Sequence, residues 1–319
     1  MRSLSLAIIL FVSCTPLLVW AQEDSTKAGG KSSYIQTRYA NDLFNGTDYY
    51  FTQGTGLDLA SPFIGRWLLS KILAGFGAVS AREHALFIRH DGFTPTSIQE
   101  DTILRGDRPF ACMLFIGQRQ HSVDPERKIR LTSEILIGFL GPLGKCRNFQ
   151  ETIHRYTESP KPRGWEFQIS NDLILDYHVS YEVGLISHKA AELLVHGSVR
   201  AGSLYDDVQV GAMILIGKMP PFFEPVVKVH DQSFQLYSFG KMGIGGVLYD
   251  ASLQGGLFNN KSVYTIPPAD VESLRYSGEA GIVLSYWKLS LEYKRTWISE
   301  AFKGGLRHGW GTLYIKVWI

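Results

Sequence analysis

The segment from Thr312 to Ile319 constrains the fold more than any other part of the chain, because two kinds of side chain alternate along it. Successive residues of a strand point to opposite faces. One face here carries Leu313, Ile315, Val317 and Ile319, and the other carries Thr312, Tyr314, Lys316 and Trp318. The first face suits lipid and the second a polar lumen. A strand of about ten residues with this pattern is typical of an outer-membrane β-barrel.

Similar short segments recur along the chain, and with the last one they number about a dozen. They cover residues 34–43, 55–60, 84–91, 111–121, 129–140, 166–170, 178–186, 192–203, 208–218, 234–248, 281–287 and 288–297. Lipid does not tolerate open sheet edges, so the sheet should close on itself. The sequence therefore predicts an all-β fold, a transmembrane antiparallel β-barrel of about twelve strands, with short loop helices near its outer rim. A soluble two-layer sandwich stays open as the structural alternative.

The amino terminus predicts export. A basic start, Met1-Arg2-Ser3, precedes an apolar run from Leu4 to Trp20, which is typical of a signal peptide over residues 1–21. We expect an N-terminal extension over 22–33, the barrel over 34–319, and a location in the bacterial outer membrane. A lipoprotein anchored through Cys14 is the alternative, although Phe11 is a poor start to a lipobox. Beyond residue 21, no apolar run approaches the ~20 residues of a membrane-spanning helix.

The charge of the chain argues against a nucleic-acid partner, and its cysteines allow one disulfide bond. The formal net charge is +2 and no basic run stands out, so we expect no nucleic-acid partner, and nothing implies a protein partner. Cys112 and Cys146 remain after the predicted leader is removed. They could pair in an oxidising compartment, but Cys112 also fits as an ordinary strand residue.

Two stretches interrupt the strand pattern. Residues 62–80 carry apolar side chains at helical spacing, which predicts either an amphipathic helix at the membrane interface or a loop helix covering one end of the barrel. Residues 148–156 lie between Gly-Pro and Pro-Lys-Pro segments, which predicts a short helix inside a loop. On that helix Gln150 and His154 are four residues apart and share a face.

The turn within residues 39–54 is rich in oxygen-bearing side chains. Asp, Asn and Thr oxygens are the ligands that calcium prefers, and no Cys or His intervenes. The same residue types are also what an ordinary hairpin turn uses, so both interpretations stay open on these residues alone. Asp48 and Asp107 are further acidic candidates, but each lies beside turn residues, and we favour a structural role for both.

At this point the chain resembles the lipid A 3'-O-deacylase family, whose members are calcium-dependent acyl hydrolases built as twelve-stranded outer-membrane barrels. The resemblance is dense over about residues 34–182. The matching segments are 40–42, 47–48, 50–54, 62–76, 90–95, 106–110, 141–142, 150–154 and 162–165. Over the C-terminal half, only the strand pattern is similar.

The resemblance implies roles for five residues. The family's catalytic histidine falls on His154, its helix glutamine on Gln150, its Asn-Asp pair on Asn41 and Asp42, and its site threonine on Thr52. It also implies a phospholipase A2-like mechanism in which calcium, held by Asp42 and Asn41, polarises the ester carbonyl and the histidine activates water. Because an ester of a lipid lies at the headgroup boundary, we expect the site at the strand end or on the outer wall near the rim.

One departure bears on the substrate. Lys145, Cys146 and Arg147 stand where the family usually has small, glycine-rich residues. These cations could meet lipid phosphates or reflect another headgroup. The expected substrate is lipid A or lipopolysaccharide; a phospholipase acting on glycerophospholipids and a non-catalytic pore or structural barrel are the alternatives.

Overall fold

The chain forms one closed antiparallel barrel of twelve strands in a computed structural model that describes residues 33–47, 49–77, 81–224 and 234–319. Each strand pairs with its sequence neighbours, and β1 pairs with β12 to close the sheet. The strands are β1 (Tyr34–Asn41), β2 (Tyr50–Ala60), β3 (Ala81–Thr94), β4 (Ala111–Asp124), β5 (Ile129–Leu140), β6 (Asp172–His188), β7 (Ala191–Gly202), β8 (Tyr205–Lys218), β9 (Gln235–Asp250), β10 (Leu274–Tyr286), β11 (Leu289–Ile298) and β12 (His308–Trp318).

In the part of the chain that the structure describes, helical segments are short and lie in the connections. The α-helices are α1 (Cys146–Thr157) and α2 (Ala251–Gln254), and the 3-10 helices are Asp42–Asn45, Pro62–Arg66, Leu68–Lys71, Pro142–Gly144, Trp165–Phe167 and Pro268–Asp270. Among the residues that the structure describes, no helix is both long and apolar enough to cross a membrane. The β1–β2, β3–β4 and β5–β6 connections lie at one end of the barrel. Because extracellular loops are the longer ones in such barrels, we take this end as the outer rim.

The two faces of the wall differ in chemistry, as the alternation predicts. On the lumen side Asp58 is buried, with its carboxylate 2.5 Å from Arg89 Nη1 and 3.1 Å from Arg119 Nη1. The flanking residues Leu57 and Leu59 point outward and are exposed. An unpaired charge is costly away from water, but these lumen charges are paired with one another. The outer face, which carries the alternate residues, is left apolar for lipid.

The final strand confirms the assignment of its faces. Lys316 points into the lumen, where its Nζ lies 4.5 Å from the centre of the Tyr34 ring. Thr312 is buried on the same face, and Val317 and Ile319 are exposed on the other. The predicted number of strands is also confirmed.

One predicted strand, residues 166–170, is wrong. This segment starts within the 3-10 helix Trp165–Phe167 and continues without strand pairing. Gly164 has a positive φ of 86°, so the chain turns sharply before the segment, and the Trp165 ring then packs 4.9 Å from the ring of Phe110. Five alternating residues are too few to distinguish an edge strand from a packed turn.

The continuous helix expected in residues 62–80 is absent from the described part of this segment. Two 3-10 helices, Pro62–Arg66 and Leu68–Lys71, are separated by Trp67 in an extended conformation, and residues 78–80 lie outside the described residues. The segment lies on the outer wall of the barrel. There it contacts β4 through Gln118, β5 through Ser133 and β6 through Tyr177.

Polar side chains on the outer wall explain this placement. Gln118 and Gln120 share the outward face of β4 with Ile116. Gln118 Nε2 donates to Ser70 Oγ at 2.5 Å, and Gln120 Nε2 donates to the Ala74 carbonyl at 3.0 Å. Because lipid offers no partner for an amide, hydrogen bonds from this segment satisfy groups that the bilayer could not.

Several sequence predictions fall outside the described residues. The signal peptide over 1–21, the rest of the N-terminal extension up to residue 32, and Asp48 belong to this group. The cysteine question, by contrast, is answered: Cys112 and Cys146 form a disulfide with a Cα–Cα distance of 5.6 Å.

Candidate active site on the outer barrel wall

Asn41 and Asp42 lie where β1 ends and a tight turn begins. Asn41 is extended and caps the 3-10 helix Asp42–Asn45, its Oδ1 accepting the Leu43 backbone N–H at 2.7 Å. The Asp42 carboxylate is 2% exposed, and its Oδ2 accepts the Tyr49 backbone N–H at 2.7 Å. The turn therefore buries a carboxylate within the rim. Turn formation and an oxygen-rich site are compatible here, because the same side chains serve both.

The turn is held against the outer face of β12. A Cβ on Gly311 would lie 2.5 Å from the Phe44 side chain, and one on Gly309 would lie 2.6 Å from Asn45 Nδ2. Only glycine at these positions lets the turn lie this close to the strand. Arg295 of β11 donates through Nε to Asn45 Oδ1 at 2.8 Å. The turn that carries Asp42 is thus fixed from two neighbouring strands.

Thr52 lies on the neighbouring strand β2, at an irregularity. The β2–β3 register shifts between Phe51 and Gln53, so Thr52 is the extra residue of a β-bulge. Bulges of this kind re-aim a side chain at the rim of a barrel. Asn41 Nδ2 donates to the Thr52 carbonyl at 2.6 Å, and Thr52 itself is 5% exposed.

Gln150 connects α1 to the wall. Its Nε2 donates to Thr52 Oγ1 at 3.2 Å, and its Oε1 accepts the indole N–H of Trp165 at 2.7 Å. Both Gln150 and Trp165 are buried. A buried amide with partners on both ends is held in one orientation. Trp165, Gln150, Thr52 and Asn41 therefore form one hydrogen-bonded chain from the loop to the strand.

His154 lies one helical turn beyond Gln150 and is half-buried. Its Nδ1 is 2.6 Å from the Pro160 carbonyl oxygen, which can only accept a hydrogen bond. Nδ1 must therefore carry the proton, and in the neutral imidazole Nε2 is then the basic nitrogen. This is the tautomer that a general base needs, with the backbone carbonyl orienting the ring.

Residues 95–110, between β3 and β4, support the loop that carries α1. Asp107 Oδ2 accepts the Thr96 backbone N–H at 2.7 Å, and its Oδ1 accepts the Arg108 backbone N–H at 2.7 Å, which is a turn-forming role. Burial lowers the pKa of the Arg108 guanidinium, which lies 3.9 Å from the centre of the Phe93 ring and donates to Ser252 Oγ at 2.6 Å. Asp107 therefore belongs to the scaffold around the site.

The donor set at the turn fits a hard cation. The Asp42 carboxylate and the Asn41 side-chain carbonyl are oxygen ligands of the type that calcium prefers. A second group, His90 with Cys112 and Cys146, has the composition of a softer metal site. Its two sulfurs are bonded to each other, and a disulfide lacks the thiolate that binds metals. The oxygen set is therefore the better candidate.

Of the five residues implied by the resemblance, three are joined directly: Asn41, Thr52 and Gln150. Asp42 follows Asn41 in the chain, and His154 follows Gln150 on the same helix. Sequence reasoning missed Trp165 as the residue that orients Gln150. The only signal was its place in the matching segment 162–165, since neither periodicity nor spacing relates it to the helix.

Comparison with known proteins identifies the family and the fold of the chain. The family described as "Outer membrane protein LpxR" matches residues 4–319, and no curated protein sequence matches the chain. LpxR from Salmonella typhimurium superposes with a TM-score of 0.75 at 17% identity, covering 90% of this chain and 100% of that one. For the β domain of the Bordetella autotransporter BrkA, the TM-score is 0.47 at 8% identity, with 91% and 100% covered.

The Salmonella structure shows that the two chains share the twelve-stranded barrel fold. The match to the family extends over nearly the whole chain, including the C-terminal half, where only the strand pattern had been recognisable. The chain belongs to the LpxR family of outer membrane proteins, which confirms the family that the sequence resembles.

Proposed function

We propose that the chain is an outer-membrane ester hydrolase that removes a 3'-linked acyl chain from lipid A, with His154 as general base and calcium as cofactor. Membership of the LpxR family supports the reaction class and the lipid A substrate. The single observation that carries the mechanism is the hydrogen bond from His154 Nδ1 to the Pro160 carbonyl, because it leaves Nε2 as the basic nitrogen.

The position of the site supports a lipid substrate. Asn41 pairs with Gly311, which lies on the outward face of β12 together with Leu313 and Ile315. Gln53, which pairs with Gly92, lies on the outward face of β2 together with Leu57 and Leu59. An acyl ester at the headgroup boundary can reach such a site while its chains stay in the bilayer. A site inside the lumen would require the chains to leave the lipid, at about 0.8 kcal/mol for each buried CH₂ group.

The chemistry follows from the residues present. His154 Nε2 takes a proton from water, and the resulting hydroxide attacks the ester carbonyl carbon. The tetrahedral species collapses as the C–O bond to the sugar breaks, and His154 returns the proton to the leaving oxygen. The products are a free fatty acid and a sugar hydroxyl. Asp42 and Asn41 would hold the calcium ion, which when bound supplies positive charge for the developing oxyanion.

Gln150 and Thr52 have a positioning role in this scheme. Their hydrogen bond links the helix that carries the base to the strand beside the cation ligands. Losing one preorganised group of an oxyanion site typically costs about a hundred- to a thousandfold in rate, so a well-held link between the two halves matters.

Purified barrel incubated with lipid A in calcium, followed by mass spectrometry, tests the proposal. We expect the wild-type protein and His188→Ala, a variant of an exposed histidine at the opposite end of the barrel, to release an acyl chain. His154→Ala should be slower by about a hundred- to ten-thousandfold. A parallel incubation with phosphatidylethanolamine separates a phospholipase from a lipid A hydrolase. Acyl loss by His154→Ala at the wild-type rate would rule out the proposed base.

A further inference from the structure

Three residues of α1 form a row on one face of the helix. Cys146, Gln150 and His154 are each four residues apart, so each lies about one helical turn above the last. Cys146 and Gln150 are buried and His154 is half-buried. The row starts at the disulfide, passes through the amide that contacts Thr52, and ends at the proposed base.

The disulfide ties the first residue of α1 to the barrel wall. Cys112 is the second residue of β4, a strand that is paired with β3 on one side and β5 on the other. A strand paired on both sides is among the most rigid elements of a fold. The bond to Cys146 therefore fixes the start of the helix to a rigid part of the molecule.

The chain before the helix is shaped around this bond. A Cβ on Gly144 would lie 2.4 Å from Cys112 Sγ, so only glycine leaves room for the sulfurs. His90 covers the bond: its Nε2 is 2.8 Å from the Gly144 carbonyl oxygen, and its ring packs 5.4 Å from that of Phe149. These contacts enclose the disulfide between the wall and the helix.

The helix start has no side-chain cap. Lys145, at the N-cap position, is in the left-handed region with φ 61°, and its side chain makes no capping hydrogen bond. A missing cap typically costs about 1 kcal/mol of helix stability and lets the first turn fray. Here the Cys146 backbone N–H donates to Cys112 Sγ at 3.2 Å, so the cysteine pair satisfies the first free N–H of the helix.

We propose that the Cys112–Cys146 disulfide is a positioning cross-link that sets the height and rotation of α1, and thereby directs His154 toward the Asn41–Thr52 side of the site. The inference rests on the proposed function for its effect on catalysis. Neither cysteine touches the substrate. Both act through the helix, because a helix held at its first residue and at Gln150 cannot turn about its axis without breaking one of the two ties.

Hydrogen exchange and kinetics on four proteins test this role: wild type, Cys112→Ser, Cys146→Ser and the double variant. We expect faster amide exchange over 146–157 in all three variants, with exchange over β4 and β5 unchanged. A misplacement of about 1 Å can cost about a hundredfold, so kcat should fall roughly ten- to a hundredfold while KM changes little. Each single variant should be as slow as the double variant, because one cross-link is lost in each.

A reduced wild-type protein provides the matched comparison. Dithiothreitol present during refolding gives two electrons and two protons to the S–S bond, leaving two thiols and its own cyclic disulfide. The reduced wild type should match the variants in exchange and kcat, and the double variant should not respond to the reagent.

Two results would overturn the proposal. One is unchanged exchange over 146–157 in the variants. The other is a general loss of protection that includes β4 and β5, which would make the bond a part of barrel stability. If wild-type protein has no deacylase activity, the proposed function fails, but the exchange data still decide whether the disulfide holds the helix.

Discussion

The two halves of the site are built differently. The half with Asn41, Asp42 and Thr52 lies at the rim of the sheet, where β1 pairs with β2 and β12 and Asp42 begins the turn that follows β1. The half with Gln150 and His154 belongs to a helix in the β5–β6 connection and reaches the wall through a few tertiary ties. Strand pairing and the turn packed on it thus place the proposed cation ligands, whereas individual side-chain bonds place the proposed base. The first half should tolerate single changes in its surroundings better than the second.

Among the residues that support the two halves, the largest effect should come from Gln150, which joins them. In Gln150→Ala, Thr52 Oγ1 and the Trp165 indole N–H both lose their partner. We expect kcat for lipid A to fall about a hundred- to a thousandfold. Asn148→Ala, on the exposed face of the same helix, is the control and should keep near wild-type activity. Equal activity of the two variants would show that the link is unnecessary.

A smaller effect should come from Trp165, which is linked to Thr52 only through its hydrogen bond to Gln150. Trp165→Phe keeps the ring in its buried position but removes the N–H that Gln150 Oε1 accepts. A buried acceptor left without a donor costs about 1–3 kcal/mol, and 1.4 kcal/mol corresponds to about tenfold in rate. We expect kcat to fall about ten- to thirtyfold, measured by release of fatty acid. Trp287→Phe, at an exposed turn on the opposite end, is the matched control; a Trp165→Phe enzyme as fast as this control would contradict the orienting role.

The smallest effect should come from Arg295, which supports the sheet-borne half. Arg295→Leu removes the donor to Asn45 Oδ1, but the turn keeps its contacts with β12. We expect the calcium concentration for half-maximal activity to rise about three- to tenfold with little change in the maximal rate. Titration of activity against free calcium measures both. A loss of maximal rate at saturating calcium would instead place Arg295 in the chemistry.

Most of the fold was readable from the sequence, because a two-residue alternation is a local signal. Ile129–Leu140 was predicted with its observed bounds, and the lumen and lipid faces of the last strand were assigned correctly. The errors lie where tertiary contacts override the local pattern. Residues 166–170 turn under the packed Trp165 ring, and residues 62–77 follow the polar groups of the outer wall, which no periodicity within the segment reveals.

The site was less predictable, because its contacts join distant parts of the chain. Gln150 and Thr52 are 98 residues apart, and only the family resemblance implied that both belong to one site. Spacing could not decide whether Cys112 and Cys146 pair, since a sequence separation of 34 allows many geometries. No pattern in the sequence indicated a role for Trp165, which is recognised only from the hydrogen bond that its indole N–H donates to Gln150.

In the proposed mechanism the two halves have separate duties: Asp42 holds calcium and His154 moves the proton. Deacylation of lipid A titrated against free calcium, for wild type, Asp42→Asn and His154→Ala, tests it most directly. We predict that the calcium concentration for half-maximal activity rises at least about ten- to a hundredfold in Asp42→Asn. His154→Ala should keep the wild-type calcium midpoint but lose about a hundred- to ten-thousandfold in maximal rate. Full activity in excess chelator, or the same change in both variants, would contradict the account.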